Sequence, residues 1–145
     1  MATNLLYNLC RSKRGFSTPE LIKLLECGAN PNYVATDESC MTPLHWMARK
    51  GRWLGFYYLT KAGADINALT NLLQTPLMLA CDTKIIGPKL KIVDFLISQP
   101  TIKLNERDAG GASAINAAIF RNNIWIVRFD LINFFILISK NHLNR

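Results

Sequence analysis

The stretch Thr42-Pro43-Leu44-His45-Trp46-Met47-Ala48 recurs 33 residues later as Thr75-Pro76-Leu77-Met78-Leu79-Ala80-Cys81, and more faintly as Ser113-Ala114-Ile115-Asn116-Ala117-Ala118. Repetition at this period constrains the fold more than any other feature of the chain. Each copy is one supersecondary unit that cannot bury its apolar face alone, so the units must stack. A second marker runs in step with the first. Cys27-Gly28-Ala29-Asn30-Pro31-Asn32 returns as Ala62-Gly63-Ala64-Asp65-Ile66-Asn67, and its last asparagine again as Asn105.

Each marker has a physical reading. Thr42 and Thr75 can cap a helix with their hydroxyls, and Pro43 and Pro76 then fill the first helical position, where no N–H bond is lost. Leu44, Met47, Ala48 and Gly51 fall at i, i+3, i+4 and i+7, a narrow face whose small residues let a neighbouring helix come close. Gly51 stops that helix, a second apolar segment runs from Trp53 to Leu59, and Gly63 stops it in turn. Asp65, Asn67 and Asn71 supply the turn chemistry that leads to the next unit. The unit is helix, turn, helix, and the fold class expected is all-α.

These residues resemble the ankyrin-repeat family. Residues 39–71 follow the family's pattern of about 33 residues without a gap, with TPLH, the mid-repeat Gly51 and GADIN all in place. Residues 5–38 resemble an N-terminal repeat, with LLYNLC as a short first helix and a second helix opened by Ser17 and Glu20 at capping-box spacing. Residues 72–109 resemble a third repeat, stretched between its helices by TKIIGPK, and NERDAGGAS begins a partial fourth over 110–129. The resemblance implies a single solenoid domain over 1–145 in which Thr42, Pro43, His45, Gly51, Gly63, Thr75 and Pro76 are structural. It also implies that His45 hydrogen-bonds across the inter-repeat turn.

Composition narrows the function. The chain has 145 residues and half of them are apolar, enough for a core without disulfides or metals. Cys10, Cys27, Cys40 and Cys81 are irregularly spaced, and Cys40 with His45 makes at most half of a tetrahedral site. Buried reduced thiols, no metal and no cofactor are expected. The N-terminus has no basic segment followed by a long apolar run, so an intracellular protein, cytoplasmic or nuclear, is expected. Catalysis by His45 is disfavoured because its repeat equivalents, Met78 and Asn116, cannot do acid–base work. Trp46 and Trp53 read as packing residues at helical spacing.

The net charge of +7 is patterned. Arg11, Lys13 and Arg14, then Arg49, Lys50 and Arg52, then Lys84, Lys89 and Lys91, then Arg121 all lie near the end of a first helix or in the connection after it. Cations favour helix C-termini, and stacked repeats would also line them up as a stripe. In the resembled family partners dock on the concave side, which here implies turn positions Met41, Leu69, Asn71, Leu72, Gln74, Arg107 and Ala112. The helix positions implied are Arg49, Lys50, Asp82, Thr83, Phe120 and Arg121. The expected function is non-enzymatic protein binding, as an adaptor or targeting subunit whose partner carries an acidic segment. Two alternatives stay open: recognition of an anionic ligand or nucleic acid through the stripe, and a recognition fragment of a larger ankyrin-containing enzyme.

The pattern breaks at Asp130, where a leucine is called for, and the divergent apolar tail 130–145 follows. The run from Ile124 to Ile138 is interrupted by Arg128, Asp130 and Asn133, too short for a membrane span of roughly 20 residues. An unpaired carboxylate is costly to bury, so the regular repeat should end near Phe129, leaving apolar side chains that either cover the stack or drive self-association. Deleting residues 130–145 should raise solubility and reduce association in sedimentation measurements; an unfolded product would instead make the tail an integral cap.

Overall fold

Seven helices stand in two layers among the described residues, which in the computed structural model are 1–35, 39–82 and 87–122. They are α1 (Ala2–Arg11), α2 (Thr18–Glu26), α3 (Pro43–Lys50), α4 (Trp53–Lys61), α5 (Pro76–Cys81), α6 (Pro88–Ile97) and α7 (Ala114–Phe120). One layer stacks α1, α3, α5 and α7 in order; the other stacks α2, α4 and α6 behind it. The two helices of each repeat pack together, α1 with α2, α3 with α4 and α5 with α6, so the solenoid expected from the repeats is the architecture observed. No described helix is long and apolar enough to cross a membrane. Asp130 and the tail lie outside the described residues.

The first-layer helices start where the capping residues put them. Thr42, Thr75 and Ser113 each accept a bond from the backbone N–H three residues on, and the side chain at that third position bonds back to the cap's N–H. The returning acceptor is His45 Nδ1 in α3 (3.1 Å), Met78 Sδ in α5 (3.5 Å) and Asn116 Oδ1 in α7 (3.0 Å). Ser17 caps α2 through the single bond from Glu20 N.

His45 does more than its equivalents. Its Nε2 lies 3.0 Å from both Ala68 O and Gln74 O, the two ends of the turn that joins α4 to α5. Because Nδ1 faces the Thr42 N–H, the ring proton belongs on Nε2, which donates to both carbonyls. The imidazole is fully buried, and that burial favours its neutral form.

Between the helices the chain makes projecting turns. Thr70 N donates to Gln74 O at 3.1 Å, and Asp108 N donates to Ala112 O at 2.9 Å, so two successive turns close in the same way. Asn71 N reaches back to Ser39 O at 3.2 Å, and Ala109 N reaches back to Leu72 O at 2.9 Å, which sets the turns side by side. Two residues before each capping residue the backbone is left-handed: Cys40 has φ 50°, Leu73 φ 57° and Gly111 φ 82°. Only the last of these is a residue suited to that conformation.

On the opposite edge an asparagine ladder ties repeat to repeat. Asn32 donates to Gly63 O (2.9 Å) and accepts from Asp65 N (2.7 Å); Asn67 donates to Thr101 O (2.9 Å) and accepts from Lys103 N (2.9 Å). The apolar interior runs unbroken between the layers, with Leu6, Leu21, Leu44, Met47, Phe56, Leu59, Ile92 and Leu96 fully buried. Each contributes about 1.5–3 kcal/mol by leaving water. Behind it Phe95 meets Trp53, Phe56 and Tyr57 edge-on at 5.7–6.3 Å.

His45→Ala should destabilise the domain by at least the 0.5–1.5 kcal/mol typical of one lost hydrogen bond, roughly, since two carbonyls lose their donor. Burial holds the His45 pKa below its ordinary value. The unfolded chain therefore takes up this proton first as pH falls, so the contribution is complete above about pH 6.5 and declines below it. Thermal melts from about pH 7.5 to 5.5 should show a loss in wild type that is smaller in the His45→Ala variant.

Candidate protein-binding groove

Along the side where the projecting turns meet the first-layer helix ends, a groove of about 580 Å³ is lined by Arg49, Leu72, Gln74, Leu79, Asp82, Lys89 and Arg121. Arg49 comes from the last turn of α3, Asp82 and Arg121 from the residues that end α5 and α7, and Lys89 from the first turn of α6. Leu72 and Gln74 come from the 70–74 turn, which His45 ties to α3. Cations gather here because helix C-termini expose carbonyls and favour positive charge.

Asp82 is the counter-charge. Its Oδ1 accepts from Arg121 Nε at 2.5 Å, with both side chains well exposed, so the pair positions these groups more than it stabilises the fold. Lys89 is in a different state. It is 2 % exposed, and its stem crosses the end of α3 at Gly51, where an added Cβ would stand 2.8 Å from Lys89 Cγ. Gly51, at φ 67°, is thus required both by the backbone turn and by the lysine passing over it. Burial pushes the Lys89 pKa down to about 8, against the pull of Asp82 and with a further push from Arg49.

The structure brings together five of the residues expected to bind a partner: Arg49, Leu72, Gln74, Asp82 and Arg121. Leu69 and Asn71 are exposed on the same turn as Leu72, and Phe120 is 84 % exposed beside the Arg121 guanidinium. Arg107 bends back to Gly111 O within its own turn, and Ala112 is half-buried with its N–H on Asp108. Thr83 and Lys84 lie outside the described residues.

Four expectations need correction. Met41 is 4 % exposed, because it is packed against the helix layer directly before the Thr42 cap, and it offers no surface to a partner. Lys50 is turned inward: its ammonium donates to the carbonyls of Cys10 (3.1 Å), Arg11 and Ser12 (2.6 Å), capping the end of α1. Arg52 joins it through Nη2 on Ser12 O (3.0 Å) and lies over the Phe16 ring. The basic residues therefore do not form one continuous stripe; Lys50 and Arg52 hold the first repeat to the second. Burial also divides the cysteines. Cys10 and Cys81 are buried, the Cys10 thiol being pushed up to about 12 by desolvation, whereas Cys40 is half-buried and Cys27 is exposed.

Leu79 and Leu73 were not singled out by sequence reasoning. Leu79 stands at the place that Trp46 holds in the preceding repeat, and it forms a groove wall. Leu73 is 47 % exposed beside Leu69 and Leu72. The signal for Leu73 is its register, since it occupies the place held by Gly111 in the next turn. Trp46 packs at the α3 end with Arg11, Arg49 and Lys50 around its ring, Lys50 Nζ at 5.1 Å from the centroid.

The family model for ankyrin repeats matches residues 9–108, in three copies. The chain belongs to the ankyrin-repeat family. Ankyrin repeats generally mediate protein–protein interaction, and the groove lies where the projecting turns of this ankyrin array meet its inner helices. No curated protein matches the sequence.

Lys50→Met should lower stability by roughly 1–2 kcal/mol, because three carbonyls at the end of α1 lose a charged donor. Urea unfolding monitored by the helix signal checks this. An Arg49→Glu exchange alone, on an exposed side chain, should change it by less than about 0.5 kcal/mol.

Proposed function

We propose that this ankyrin domain is a non-enzymatic adaptor or targeting subunit of the cell interior that holds an acidic segment of a partner protein in the groove. The observation that carries this reading is the placement of Arg49, Lys89 and Arg121 against one carboxylate, Asp82, beside the exposed Leu69, Leu72 and Leu73. Apolar side chains with a charged margin are the usual anatomy of a protein interface. The excess of positive charge selects for acidic partners and speeds their approach. Catalysis has little support in the same region, since both ring nitrogens of His45 are committed to backbone and cap.

Leu73 adds a second line of support. A left-handed leucine costs about 1–2 kcal/mol relative to the regular backbone, and a surface residue kept in such a state is a candidate for binding. A fluorescent peptide alternating Glu and Leu, titrated against the whole chain at low and high salt, tests the proposal. Binding should weaken with salt and with Leu72→Asp. Leu73→Gly should raise the unfolding free energy by about 0.5–1 kcal/mol and yet weaken the peptide. Equal binding of a single-stranded oligonucleotide of the same charge, unaffected by either leucine exchange, would replace the protein reading by a polyanion one.

A further inference from the structure

Lys89 is the least accommodated charge in the groove. Among the described residues three other cations of this region have a visible use: Lys50 and Arg52, both half-buried, hold the carbonyls that end α1, and the exposed Arg121 holds Asp82. Lys89 is 2 % exposed, lines the groove, and its ammonium makes no hydrogen bond or ion pair among the described residues. Keeping so little-exposed a lysine charged without a counter-ion is costly. The nearest carboxylate, Asp82, is already taken by Arg121 at 2.5 Å.

Resting on the protein-binding reading above, we propose that Lys89 is the seat of a carboxylate subsite, which takes one glutamate side chain of the partner's acidic segment between Arg49 and Arg121. The groove's other walls fit that side chain. Leu72 and Leu79 offer apolar surface to its two methylenes, and Gln74 adds a polar group to the lining. A doubly charged phosphate would meet the same Asp82 with twice the repulsion, whereas a carboxylate brings one negative charge and an apolar stem. The groups facing Lys89 are Arg49 from α3, Asp82 and Cys81 from α5, and Arg121 across the groove. A bound carboxylate adds the negative charge this set lacks and favours the ammonium form.

Affinity and lysine titration together test the subsite. The whole chain is reductively methylated with ¹³C-formaldehyde, and the Lys89 methyl resonance is followed against pH, alone, with the Glu-Leu peptide, and with inorganic phosphate. Alone, Lys89 should titrate near 8; with the peptide it should titrate well above that, and with phosphate it should stay near its free value. Lys89→Met should weaken the peptide by about tenfold or more, whereas Lys91→Met, on an exposed position of the same helix, should not. Changing the peptide's glutamates to glutamine should abolish the difference between wild type and Lys89→Met. Lys89→Met removes a buried charge, so its melting temperature should not fall, and the melt of each variant is measured beside its affinity. If Lys89→Met binds the peptide as tightly as wild type while Leu72→Asp does not, the subsite is overturned and the groove remains. If wild type does not bind the peptide, the groove reading fails and the subsite with it. A Lys89 resonance that moves with phosphate and not with the peptide makes this a small-anion site and also overturns the proposal.

Discussion

The two hydrogen bonds from His45 Nε2 to Ala68 O and Gln74 O fix the geometry on which the groove depends. They clamp both ends of one projecting turn to the first turn of α3, and they are given by the same side chain whose Nδ1 completes the α3 cap. Helix start, turn position and repeat spacing are therefore set by one buried imidazole. Because α3 also carries Arg49 and the turn carries Leu72 and Gln74, the clamp determines how far the groove's basic side stands from its apolar side.

Two lysines that cross between neighbouring helices meet opposite fates on this frame. Lys50 ends α3 and Lys89 opens α6, and both cross to a neighbouring first-layer helix. Lys50 finds the free carbonyls at the end of α1, which are natural partners for a cation. Lys89 crosses at Gly51, where the α3 terminus already closes itself: Gly51 N and Arg52 N donate to Ala48 O and Met47 O. A helix end that satisfies its own carbonyls has nothing to offer a second cation. The lysine that arrives there is left with its charge directed to the groove.

Much of this architecture was readable from the residues. The Thr-Pro starts, Gly51 and Gly63, and the recurring asparagines report local backbone needs, and local needs survive in a sequence as fixed spacing. Arg49, Leu72, Gln74, Asp82 and Arg121 could be placed on one side because the resemblance to ankyrin repeats carries the family's concave positions onto them. What the period does not encode is where a long flexible side chain goes. Lys50 reaches carbonyls at positions 10–12, and its placement depends on the distance between stacked helices, not on its own helix. Met41 misled for a related reason, since a residue one step before a cap can face the helix layer or the solvent and the spacing is the same. The left-handed Cys40 and Leu73 were hidden because neither residue type announces that conformation.

The three returning side chains at the helix starts also grade the array. His45 has a second nitrogen for the following turn, whereas the thioether of Met78 can accept from Thr75 N and has no proton to give onward. The 108–112 turn therefore receives no clamp from α5 like the one the 70–74 turn receives from α3. It is held by its own Asp108, whose Oδ1 accepts from Gly110 N and Ala112 N at 2.9 and 2.8 Å, and by the bond from Ala109 N to Leu72 O. In a linear array, where each unit contacts only its neighbours, a weaker junction opens without disturbing a stronger one. The groove spans both kinds of junction. Arg49 and Leu72 are carried by the clamped side, while Arg121 belongs to the unit beyond the unclamped turn and is tied back across the groove through Asp82. A segment bound between them would bridge the two, adding to the array the cross-link that Met78 does not supply.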